Sequence, residues 1–222
     1  IVEVERETLG MDYNQLNKAI KKYKPKVVQL VHVYGCPAKH TFKIRDLCKK
    51  NKIFLMEDFS ESLGSKINNK KVGTIGDISI SSIRSEKMIG VGEGGVISTN
   101  NTSIFNKIKL VASRHAPFRS KKDPYWKKYY VSGEGYNYLM PHLLGSVARA
   151  QLEKFQKIIL KKKIIIGKMY RNIFKENKYY YIPQLPHKNI KPAYWLNAIY
   201  FKNLSKKNVR LLGNLLIKNE IE

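Results

Sequence analysis

Two apolar, strand-like runs separated by one helical pattern constrain this chain more than any other feature. Val27-Val28-Gln29-Leu30-Val31-His32-Val33-Tyr34 is almost continuous in β-branched and other apolar residues, as in a strand covered on both faces. Thr41 to Asn51 carries Phe42, Ile44, Leu47 and Cys48 at helical spacing, and Ile53-Phe54-Leu55-Met56 is a second apolar run that stops at Glu57-Asp58. Strand, helix and strand in that order predict a crossover unit, a mostly parallel sheet and an α/β fold. Upstream, Asp12 to Tyr23 places Leu16, Ile20 and Tyr23 on one helical face, with Asp12 as N-cap.

Further along, Asp77 to Ile83 and Gly95 to Thr99 read as short strands, followed by a helix over about 103–113. Residues 115–135 are polar and aromatic, with Pro117 and Pro124, and predict a long loop of the kind that usually carries function. A long helix is expected from His142. Its inward stripe is Ala148, Leu152, Phe155 and Ile159, continued across Gly167 by Ile166, Met169, Tyr170 and Ile173. The character changes after Pro183 and Pro186: Ala193 to Phe201 is strand-like, and Asn208 to Ile217 helical.

Charge needs a separate argument. The 222 residues carry a formal net charge of +25, a field that attracts nucleic acid, anionic membranes or anionic metabolites. Arginine supplies only 8 of the 42 basic residues, however, and no nucleic-acid motif is present. Solvated lysine faces therefore account for the excess better than a nucleic-acid footprint does. No apolar stretch approaches a membrane span and no signal-peptide pattern opens the chain, so a cytoplasmic setting is expected. Cys36 and Cys48 do not make a disulfide framework. With His40 they lack zinc spacing, so no metal site is expected and both cysteines read as core or pocket wall.

The chemistry-bearing residues gain meaning from their order. Asp58 ends a buried parallel strand, where open α/β sheets bind ligands. Ser79 to Ser82 put hydroxyls on the next strand, and Lys87 precedes the glycine turn Gly92-Glu93-Gly94-Gly95. A Schiff-base cofactor asks for these parts: an amine, an acid for a ring nitrogen, and hydroxyl donors for a phosphate.

These segments resemble the DegT/DnrJ/EryC1/StrS family of sugar aminotransferases. Val31-His32-Val33-Tyr34-Gly35, Glu57-Asp58 with Glu61 and Gly64, Gly73-Thr74-Ile75-Gly76-Asp77, Lys87 with Gly92 to Gly95, and Gly135-Tyr136-Asn137-Tyr138 match its signatures in order. Ala150-Gln151-Leu152-Glu153 follows, and Tyr194-Trp195 is a weaker echo. The resemblance implies a pyridoxal 5'-phosphate (PLP) transferase of fold type I, aspartate aminotransferase-like, working as a homodimer. Residues 1–158 would form the large PLP-binding domain, lacking its N-terminal part, and 159–222 the start of a smaller α+β C-terminal domain. Lys87 would be the catalytic Schiff-base lysine, Asp58 the partner of the pyridinium nitrogen, and Ser82 a phosphate contact. Asn137 would reach across the dimer to the neighbour's cofactor phosphate.

Glu61 stands where many relatives have Gln touching the cofactor's phenolic oxygen, whereas Glu is typical of perosamine-type 4-aminotransferases. A carboxylate is repelled by a phenolate, so Glu61 is expected to carry a proton or turn toward a donor. The implied substrates are a nucleotide-linked 4-keto-6-deoxyhexose and glutamate. The chain departs from the pattern at Leu139, usually Arg or Lys, and at His142, often Asn or Asp. The resemblance also begins in the middle of the large domain, so a fragment of a longer protein is expected. The rival readings are a catalytically silent relative that binds a partner or sugar nucleotide, a sugar dehydratase of the same family, in which His replaces the lysine, and a basic nucleic-acid-binding protein.

Overall fold

The computed structural model describes residues 1–116, 122, 124–175, 177–183 and 189–221. The expected crossover unit is present. Helix α1 (Tyr13–Tyr23) begins at Asp12, whose side chain accepts from the Gln15 amide, and leads into strand β1 (Val27–Val31). Helix α2 (Thr41–Lys50) then returns the chain to β2 (Phe54–Asp58), which pairs with β1 in parallel. Short strands β3 (Lys66–Ile67) and β4 (Lys70–Lys71) precede β5 (Ile78–Ser82). Strand β5 lies parallel to β2, and β6 (Gly95–Ser98) closes the sheet antiparallel to β5, in the order β1-β2-β5-β6.

Three expectations about the strands need correction. Strand β1 ends at Val31, not Tyr34, because Tyr34 and Gly35 adopt left-handed φ of 53° and 90° and turn the chain out of the sheet. Nor is the sheet covered on both faces within this chain. Leu30 and Leu55 are fully buried against α1 and α2, whereas Val27, Val31 and Phe54 on the opposite face are exposed. The third concerns the C-terminal stretch expected as a strand over 193–201, of which only Tyr200–Phe201 pairs in a ladder, as β9 with β7 (Tyr180–Tyr181). Before it, β8 (Ile190–Lys191) joins β3, and residues 192–196 pass over the turn at Gly35.

Helix α3 (Thr102–Ala112) follows β6, and a 3₁₀ turn lies at Tyr125–Tyr129 within the expected long loop. The expectations that rest on Pro117 and Pro186 lie outside the described residues. The long helix is two helices, α4 (His142–Lys154) and α5 (Lys161–Ile173), joined by a π-helical turn at Phe155–Leu160. The wider turn shifts the register of the buried face. Phe155, Leu160 and Gly167 therefore point inward, while Leu152, Ile166, Met169 and Ile173 of the expected stripe stay exposed. Helix α6 (Lys206–Lys218) ends the described chain, N-capped by Ser205.

A second cluster sits beside the sheet. Ile83, Met88, Ile89 and Val91 of the loop between β5 and β6 pack with Phe155, Leu160 and Trp195. Both cysteines are buried and free, and burial pushes their thiols up, Cys36 to about 12 and Cys48 to about 11. No helix among the described residues is long and apolar enough to cross a membrane.

Candidate active site

The site grows from the carboxyl ends of two adjacent parallel strands, β2 and β5. The pleat separates the last two residues of β2: Glu57 faces the core and is fully buried, while Asp58 on the other face keeps partial exposure. The Glu57 carboxylate accepts from His32 Nε2 (3.1 Å), Gly73 N (2.9 Å), Ile75 N (2.6 Å) and Gly76 N (2.6 Å). The Ala38 amide donates to His32 Nδ1 (3.0 Å), so Nε2 carries the proton given to Glu57. Burial raises the Glu57 pKa, but the His32 hydrogen bond and the amides of Gly76 and Gly73 outweigh it and leave the carboxyl below its ordinary value. Glu57 thus ties the 73–76 turn to the end of β2. The motif Gly73 to Asp77 has a structural task here.

Asp58 is oriented by two donors. Its Oδ2 accepts from Gln29 Nε2 (3.2 Å) on β1, and its Oδ1 accepts from Ser60 N (3.1 Å). The Ser60 hydroxyl in turn accepts from the Ser82 amide (2.8 Å), linking the ends of β2 and β5. Ser82 Oγ accepts from Arg84 N (3.2 Å). Ser60 held no role in the sequence reading, although a Ser two residues after an Asp is an available turn signal.

Lys87 sits on the loop after β5. Its side chain is 13% exposed, with Nζ 3.8 Å from Glu61 Oε1 and 3.9 Å from the centroid of the Trp195 ring. The other Glu61 oxygen accepts from the Tyr34 amide (2.8 Å). Glu61 therefore accepts from one amide and forms an ion pair with Lys87. Trp195 is held in place by donating Nε1–H to Glu86 O (2.9 Å), while its own carbonyl accepts from Lys163 Nζ (3.0 Å). At 108 positions' remove from Lys87, it gave no local sign of this contact. The Lys87 loop is further clamped by Gln151 of α4, which accepts from Gly90 N (3.1 Å) and donates to Gly90 O (2.5 Å).

Asn137 lies elsewhere. It forms an isolated bridge with Ser113 at the end of α3, exposed and flanked by Tyr136 and Tyr138, whose rings stack at 5.0 Å. Within one chain, then, Lys87 and Glu61 form one contact set and Asp58 and Ser82 another joined through Ser60, while Asn137 is in neither.

Residues 1–222 match the DegT/DnrJ/EryC1/StrS aminotransferase family throughout. The chain belongs to that family. Among curated DegT/DnrJ/EryC1/StrS relatives, a GDP-perosamine synthase of Vibrio cholerae is 33% identical over 99% of this chain and 57% of its own length. A UDP-4-amino-4,6-dideoxy-N-acetyl-beta-L-altrosamine transaminase of Helicobacter pylori is 32% identical over 62% of this chain and 35% of its own. This chain spans a little over half the length of the former. Among solved structures, an E. coli GDP-4-keto-6-deoxy-D-mannose-3-dehydratase with bound hydrated PLP superimposes with a TM-score of 0.85. It is 22% identical, over 100% of this chain and 58% of that one. A Helicobacter pylori aminotransferase of pseudoaminic acid biosynthesis gives 0.83 at 24% identity, over 99% and 57%. These likenesses establish the α/β fold of PLP-dependent aminotransferases.

Proposed function

We propose that the protein catalyses PLP-dependent transamination of a nucleotide-linked 4-keto-6-deoxyhexose, with glutamate as amino donor, giving a 4-amino-4,6-dideoxy sugar nucleotide. The observation that carries this reading is the setting of Lys87. Its amine lies between a carboxylate and an aromatic face, on the loop that leaves the acid- and hydroxyl-bearing strand ends. That donor set fits PLP. When bound, PLP supplies the electron sink that lets an amino group leave one carbon and join another. Lys87 would hold the cofactor and move the proton at its Nζ, with Glu61 beside it setting the charge there. Asp58, fixed by Gln29 and Ser60, would keep a proton on the pyridine nitrogen through a charge-assisted hydrogen bond. The Ser82 hydroxyl would contact the phosphate.

The 33% identity to a GDP-perosamine synthase and the presence of Glu61 support the 4-keto-6-deoxyhexose class. Lys87 disfavours the dehydratase alternative, in which histidine takes its place. The active unit would be a homodimer, with Asn137 of each protomer completing the other's site. The division into 1–158 and 159–222 would fall inside the π turn.

The test uses the full-length protein with PLP, glutamate and a panel of 4-keto sugar nucleotides. Lys87→Ala is expected to abolish the visible absorbance change on adding glutamate and to lower turnover by at least about 10²–10⁴-fold. Glu61→Gln is expected to retain activity with a displaced pH profile. An absorbance unaffected by glutamate in the unsubstituted protein would sink the reading.

A further inference from the structure

Tyr194, the neighbour of Trp195, packs against a different element. Its ring is so close to α5 that a Cβ on Gly167 would lie 2.3 Å from it, and the Arg171 guanidinium carbon sits 5.0 Å above its centroid. Beside this stack is a cavity of about 570 Å³. Lys168, Arg171 and Asn172 enter it from one face of α5, and Lys191 of β8 borders it with its ammonium turned to Asn69 Oδ1 (2.9 Å). None of its lining residues among those described is acidic, and Ile164, Ile190 and Pro192 supply apolar wall.

Arg171 is the unusual member. One of its terminal nitrogens donates to Pro183 O (3.1 Å), but Nε and Nη1 are buried and have no acceptor among the described residues. Buried donors are almost always paired, and a charged one left unpaired is far more costly than a neutral one. A guanidinium in this state, with Lys168 beside it and an aromatic ring beneath it, matches an oxyanion in both charge and donor count. We propose that this cavity binds a small organic anion, a phosphate or carboxylate on a partly apolar body, with Arg171 as its principal ligand. Lys168 and Asn172 flank the anionic group, and Ile164, Ile190 and the Tyr194 ring receive the rest of the molecule. This site is distinct from the Lys87 cluster and does not depend on the proposed reaction.

Calorimetric titration of the whole protein with inorganic phosphate and, separately, citrate, at constant ionic strength, tests the proposal. Saturable binding of one anion per chain is expected, and the better of the two probes tells a phosphate from a carboxylate ligand. Arg171→Gln is expected to weaken it by about thirtyfold or more. Since that substitution could disturb the α5 packing, Lys168→Gln provides the second arm: its side chain is exposed, and a loss of about two- to fivefold is expected. Lys218→Gln on α6 should change nothing. Binding of both probes that does not saturate, or that neither Arg171→Gln nor Lys168→Gln weakens, overturns the proposal. So does a polypeptide carboxylate bonded to Arg171 in the intact protein.

Discussion

Glu57 and Asp58 are chemically alike and adjacent, yet their neighbours give them opposite tasks. Asp58 keeps an accessible edge and two donors, whereas Glu57 is sealed among four donors and holds the turn at 73–76 in place. Glu57→Gln would set an amide NH₂ against those donors. Breaking a buried, charge-assisted set of this kind costs about 3–5 kcal/mol, which should appear as a lower denaturant midpoint at neutral pH. The pH dependence follows from the depressed folded-state pKa. The carboxylate's contribution is present above its ordinary value of 4.5 and is lost as pH falls through the lower folded value. The deficit of the variant should therefore shrink in acid below 4.5. A deficit constant down to the acid transition would show that the four donors do not favour the charged form.

Among the elements, the junction of α4, the π turn and α5 carries most of the consequence. Its register turns Phe155 and Leu160 into the cluster that supports the Lys87 loop, and it places Gly167 against Tyr194. Glycine inside a helix ordinarily costs about 1 kcal/mol relative to alanine, so a Gly→Ala change in open space stabilises. Gly213 in α6 has nothing within 4 Å of an added Cβ, and Gly213→Ala should raise stability by up to about 1 kcal/mol. At Gly167 the added Cβ meets the Tyr194 ring at 2.3 Å, and overpacking of about 1–3 kcal/mol reverses the sign. Thermal unfolding of the two variants should move in opposite directions; a stabilised Gly167→Ala would mean that Tyr194 moves aside freely.

For the whole molecule, the dominant quantity is the net charge of +25 on 222 residues. Self-repulsion of this size opposes the compact state and is screened by salt. Raising ionic strength with sodium chloride should lift the melting temperature by about 2–4 °C, the equivalent of about 1 kcal/mol for a chain of this length. A flat response would show that the lysines are too dispersed to repel. What was legible in the sequence was local or ordered along the chain: the capped helix after Asp12, the strand–helix–strand unit, and the family signatures around Asp58, Ser82 and Lys87. Periodicity and motif order alone determined the fold class and the candidate lysine, because both depend on residues close in sequence. The tertiary structure decided the rest. Which acid of the Glu57-Asp58 pair stays accessible depends on strand pairing, and which face of the long helix is buried depends on the π turn. That Lys87 lies between Glu61 and Trp195, and that Nε and Nη1 of Arg171 are buried with no acceptor among the described residues, depends on contacts between distant segments. Packing creates those contacts, and neither spacing nor composition encodes them in any local window.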